Sequence, residues 1–209
     1  MIRTKPTAAV LALLASAAVL AGCGDDDADH GDHPSTAAPS ISAGPGPESA
    51  DAATGAHNQA DIRFAQEMIP HHRQAVAMAA LVPGRSADPA LIELAAGVQQ
   101  AQDPEITAMT GWLEAWGVAV PAPAGHMGMD HGEMPGMMTE DQMARLESAT
   151  GAEFDRMWLE MMIAHHEGAV QMARTELAEG EFGAARAMAQ EIIDTQQAEI
   201  QQMQAMLQG

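Results

Sequence analysis

The segment Met68-Ile69-Pro70-His71-His72-Arg73-Gln74-Ala75-Val76-Ala77-Met78-Ala79 returns as Met162-Ile163-Ala164-His165-His166-Glu167-Gly168-Ala169-Val170-Gln171-Met172-Ala173. His165 lies 94 residues after His71, and the same offset sets Asp61 on Asp155, Phe64 on Trp158 and Val76 on Val170 without a gap. Further on it sets Gln102 on Gln196, Glu105 on Glu199, Ile106 on Ile200, Met109 on Met203 and Leu113 on Leu207. Phe64, Met68, His71, Ala75 and Met78 advance by alternating fours and threes, as do Trp158, Met162, His165, Ala169 and Met172, so each copy forms one inward stripe of a helix. Two copies of a helical hairpin predict an all-α four-helix bundle, in which like positions of the halves can meet near a pseudo-two-fold axis.

The flanking residues place the helices. One is expected from about Asn58 to Leu81, ending at Pro83-Gly84, and a second from Asp88-Pro89, with Asp as cap and Pro in the first turn, to about Gly117. Pro121 to Met138 reads as a loop. Thr139 with Gln142, and Thr150 with Glu153, are capping-box signatures, predicting a short helix before a long one that ends at Gly180. The last helix is expected from about Phe182 to Leu207. Pro70 faces Ala164 and Pro104 faces Ala198 across the repeat, so the first hairpin is expected to kink where the second stays regular.

On this geometry each half offers two imidazoles, thioethers and, from Glu105 or Glu199, a carboxylate toward one interior. His72 and His166 lie beside the stripe, one turn after Met68 and Met162. His166-Glu167 has Val170 where a zinc-protease helix needs His, and Met68 and Met162 stand where a di-iron bundle needs Glu. Thioether plus imidazole suits copper, above all Cu(I). His71, His72, His165, His166, Met68 and Met162 are therefore candidate metal ligands. The same residues also fit a core in which Met fills space and His is a satisfied polar group.

A second candidate site lies in the loop, where His126, Met127, Met129, His131, Met134, Met137 and Met138 crowd into thirteen residues with Gly and Pro between them. Soft ligands on a pliable chain can wrap a low-coordinate cuprous ion, while the histidines and Asp130 admit Cu(II).

The start of the chain reads differently. Arg3 and Lys5 precede an apolar run from Ala8 to Leu20 that is too short to span a bilayer, and it ends in Leu20-Ala21-Gly22-Cys23. This resembles a lipoprotein signal, giving a leader over 1–22, a lipid anchor on Cys23 and a location in the cell envelope, outside the cytoplasm. Cys23 is the only cysteine, which leaves none for a disulfide or thiolate site in this chain. Residues 23–56 carry almost no large apolar side chain and read as a disordered tether, leaving 57–209 for the bundle. His30 within the acidic run Asp25–Asp32, and His33 directly after it, could hold a metal loosely or merely be solvated. Loss of the leader removes Arg3 and Lys5 and takes the formal charge from −20 to −22. That charge argues against nucleic acid as a partner.

The paired-histidine segments, with Gln102-x-x-Glu105-Ile106-x-x-Met109 and its copy Gln196-x-x-Glu199-Ile200-x-x-Met203, resemble the domain of unknown function 305 family over about Asp61 to Leu207. That resemblance implies a ferritin-like four-helix fold, usually outside the cytoplasm, with copper binding and copper tolerance in some members and no generally established enzymatic activity. The leading expectation is a membrane-anchored copper-binding protein that sequesters copper or delivers it, with copper ions, the membrane and a copper-accepting protein as partners. The rivals are a metal-dependent cuprous oxidase and a structural envelope lipoprotein with no metal role.

Overall fold

The structure, a computed structural model, describes residues 55–122 and 134–209. Its helices are α1 (Gln59–Leu81), α2 (Pro89–Ala115), α3 (Glu140–Ser148), α4 (Gly151–Glu179) and α5 (Gly183–Gln208). The all-α four-helix architecture expected from the repeat is present. α1 pairs with α2, α4 pairs with α5, and the two hairpins meet chiefly through α1 and α4. The short α3 packs on α4. Both α1 and α2 run on through their internal prolines, Pro70 and Pro104. No helix of the described residues is long and apolar enough to cross a membrane.

Side chains near the helix starts account for where most helices begin. Asn58 accepts from the N–H groups of Ala60 and Asp61 at 2.7 and 3.3 Å, and Asp61 reaches back to the Asn58 N–H at 2.6 Å, which completes a capping box. Asp88 caps α2 through the Ala90 N–H at 2.9 Å, with Pro89 in the first turn. Thr139 and Gln142 form the expected box on α3. The box expected at Thr150 and Glu153 does not form, because Thr150 makes no side-chain cap bond. Gly151 instead takes φ +60 and gives its N–H to the Arg85 carbonyl at 2.7 Å, tying the start of α4 to the turn after α1.

The core falls into two apolar clusters. One gathers Phe64, Met68, Met109, Leu113 and Ile192, and the other Met78, Leu91, Phe154, Trp158 and Met203. The first takes the early part of α1, the late part of α2, the late part of α4 and the early part of α5; the second takes the opposite ends. His71, His72, His165, His166, Gln102 and Gln196 fall between these stretches in every helix, all of them buried. The bundle is therefore divided midway by a polar layer.

Beyond the first cluster, Asp61 closes one end of the bundle. Its carboxylate accepts from the N–H groups of Glu181 and Phe182 at 3.1 and 2.9 Å, so the residue that caps α1 also satisfies the start of α5. Glu176 lies beside it, 1% exposed, its oxygens without any other partner. Burial first, and then the hydrogen bond to Asp61 and the Asp61 charge, push the Glu176 carboxyl from its ordinary 4.5 up to about 8. Asp61 goes the other way: burial alone would raise it, but hydrogen bonds from Asn58, Glu176, Phe182 and Glu181 leave it lowered. Burial and the neighbouring Asp61 charge thus hold Glu176 toward its protonated form, while Asp61 is held toward its ionised one.

A raised carboxyl in the folded state means that stability is fully present below pH 4.5 and is lost as pH rises through about 8. Glu176→Gln keeps a donor toward Asp61 but cannot ionise. In urea unfolding it should flatten the decline in stability between pH 5 and pH 8 that the unsubstituted protein shows. Parallel pH profiles for the two proteins would contradict the raised Glu176 carboxyl.

Candidate metal centre

Adjacent histidines on a helix point about 100° apart, so each pair serves two neighbours. His71 and His165, on the facing stripes of α1 and α4, bring their rings to a centroid distance of 3.7 Å with a 39° tilt. The two copies of the repeat thus meet at one centre. His72 turns toward α2, where its Nε2–H donates to Glu105 Oε2 at 2.6 Å; His166 turns toward α5 and donates to Glu199 Oε2 at 2.7 Å. The His165 and His166 rings lie 6.4 Å apart. All four imidazoles are 0% exposed, as are Met68 and Met162 one turn before each pair.

Glu105 and Glu199 retain 18% and 15% side-chain exposure, so they hold the outer imidazoles from the rim of the layer. A carboxylate that accepts Nε2–H fixes the tautomer and leaves the Nδ1 lone pair free. His71 gives its Nε2–H to the Pro135 carbonyl at 3.1 Å, with the same result. The Nδ1 atoms of His71, His72, His165 and His166, and Nε2 of His165, are buried without a partner. Burial, followed by the neighbouring His72, pushes His71 from 6.5 to about 3, with the Pro135 carbonyl opposing. Burial, and then the His71 ring, hold His165 well below its ordinary value. These two imidazoles are neutral at physiological pH, the form that binds metals.

Among the described residues no three His, Cys, Asp or Glu side chains converge as a metal cage. Neutral imidazole nitrogens in a layer bordered by the buried residues Met68 and Met162 suit a soft ion of low coordination number. The loop candidates divide. His126, Met127, Met129 and His131 lie outside the described residues, as do Cys23, the leader, the tether and His30 and His33. Met134 and Met137 are half-buried, whereas Met138 is 6% exposed and packs in the second apolar cluster with Met78 and Leu146.

The family model for the domain of unknown function DUF305 matches residues 61–207. The chain belongs to the DUF305 family. A DUF305 fragment from Deinococcus radiodurans is 30% identical, with a TM-score of 0.64 over 73% of this chain and 98% of that one. A Streptomyces coelicolor DUF305 protein, assigned as secreted, is 32% identical with a TM-score of 0.62, over 69% of this chain and 89% of its own. CopM, solved in a Cu(II)-bound form, is 34% identical with a TM-score of 0.62, over 71% of this chain and 95% of its own, and has also been solved in a Cu(I)-bound form. No curated protein matches the chain.

The motif spacing of this DUF305 chain placed the histidines, but not the Pro135 carbonyl on His71. A main-chain oxygen carries no residue-type signature. Gly168, which lets that carbonyl approach, was visible only as a break in the repeat opposite Gln74. Nitrogen-15 NMR of the metal-free protein should find His71 neutral down to about pH 3, with its proton on Nε2. Mixed tautomers, or titration of His71 near 6.5, would show the layer to be wet and unconstrained.

Proposed function

We propose that the protein binds copper outside the cytoplasm, anchored to the membrane by lipid on Cys23, and that it sequesters copper or passes it on without turnover. The observation that carries this reading is the set of five unpartnered nitrogens on four fully buried histidines. Each such atom costs about 1–3 kcal/mol in a dry interior, a cost that a purely structural core carries without return. A soft ion taken up by these lone pairs removes it. Similarity to CopM, solved with Cu(I) and with Cu(II), supports copper as the ion.

On this reading His71, His72, His165 and His166, with Met68 and Met162, hold Cu(I) in the layer. His126, Met127, Met129, His131, Met134 and Met137 capture copper from solution, Cu(I) by thioether and Cu(II) by imidazole. Residues 1–22 are the leader, 23–56 the tether and 57–209 the bundle. Glu105 and Glu199 act through the outer imidazoles, as carboxylate partners of metal-bound histidines do. A copper-accepting protein is the expected partner.

The test is anaerobic titration with Cu(I) against a chromophoric chelator. Changing all four histidines to Gln should remove the tightest copper, and deleting Gly125–Glu133 should remove weaker equivalents only. If neither change lowers the copper bound, the reading fails. Met68→Leu with Met162→Leu conserves volume, so stability should shift by less than about 1.5 kcal/mol while Cu(I) affinity falls. Unchanged affinity would exclude the thioethers.

A further inference from the structure

Gln74 and Gly168 are repeat equivalents, each three residues after the first histidine of its pair, and they do opposite things to one piece of chain. Gln74 clamps the Met138 backbone twice: its Nε2–H donates to the Met138 carbonyl at 2.8 Å, and its Oε1 accepts the Met138 N–H at 2.7 Å. Gly168 makes room. A Cβ there would lie 2.0 Å from the Pro135 oxygen and 2.4 Å from its carbonyl carbon. Gly136, at φ +76, rests on the α4 backbone, where a Cβ would come within 2.5 Å of the Ala164 oxygen and 2.9 Å of the His165 oxygen. The Pro135–Met138 backbone therefore crosses α1 and α4 one turn beyond the imidazoles. Its Pro135 carbonyl holds His71, and the buried Met138 side chain anchors its end.

We propose that Pro135–Met138 is a strap over the imidazole layer, which must lift before a solute or ion reaches His71 and His165. Gly136 and Gly168 permit its close seat, and Gln74 latches it. A gap of about 10 Å³ lies between α2 and α5, lined by Gln102, Glu105, Gln196 and Glu199, the room of roughly one water molecule. The strap thus controls exchange, while the histidines set affinity. The copper aspect of this assignment rests on the function proposed above; the access aspect does not.

The metal-free full-length protein is treated with diethyl pyrocarbonate, and modification at His71 and His165 is measured by mass mapping against exposed His57. Gln74→Ala, which removes both latch bonds, and Gly168→Ala, whose methyl displaces Pro135, should each speed modification by about tenfold at unchanged helicity. Gln74→Ala decides the matter if Gly168→Ala fails to fold. Unchanged modification rates overturn the strap whether or not the protein binds copper. In a second arm, anaerobic transfer of Cu(I) from the loaded protein to bathocuproine disulfonate should accelerate about tenfold in Gln74→Ala with stoichiometry unchanged. Unchanged transfer beside faster modification would route the ion between α2 and α5 and also overturn the strap. A protein that takes up no Cu(I) in the layer sinks the copper reading, while the modification arm still decides what the strap does.

Discussion

The contact between His71 and His165 is the constraint on which the rest of the bundle depends. Two imidazoles with ring centres 3.7 Å apart and no access to water cannot both carry charge, so the interior must keep them neutral. Neutral rings in turn need donors and acceptors that the apolar stripes cannot supply. Each half meets part of that need, with a carboxylate one helix away holding the outer imidazole at 2.6 or 2.7 Å. The remainder is left open. The apolar clusters on either side do the folding and enclose a layer that is costly by itself.

The duplication explains why that cost occurs in both halves, and the loop explains why the halves are not equivalent. His71 has the Pro135 carbonyl, whereas both ring nitrogens of His165 lack a partner. The strap breaks the symmetry at Gln74 and Gly168, where the repeat itself diverges. Pro70 and Pro104, further asymmetries of the repeat, leave α1 unbroken from Gln59 to Leu81 and α2 unbroken from Pro89 to Ala115.

Much of this was legible in the residues. Threes and fours between Phe64 and Met78, repeated from Trp158, gave the stripes, and the constant offset gave the hairpins and their pairing. Helix starts were readable where the cap is a local side-chain bond, as at Asn58, Asp88 and Thr139. At Thr150 the helix starts where expected but without the side-chain box, and the Gly151 N–H bonds the distant Arg85 carbonyl. In the sequence Asp61 is a mere repeat match, although it closes the capping box of α1 and accepts from the start of α5. Such long-range uses of a backbone group or a single carboxylate leave no period in the sequence. The histidine centre was legible as two motifs; that they form one layer required the fold.

On the proposed function, the polar layer destabilises the metal-free bundle and a soft ion satisfies it. Thermal unfolding of the metal-free and Cu(I)-loaded protein tests it directly, beside a variant with His71→Leu and His165→Leu. Cu(I) should raise the melting temperature of the unsubstituted protein, and the Leu variant should melt higher than the metal-free parent and gain nothing from Cu(I). A Leu variant that melts lower, together with a parent indifferent to Cu(I), would show that the histidines are structural and contradict the account.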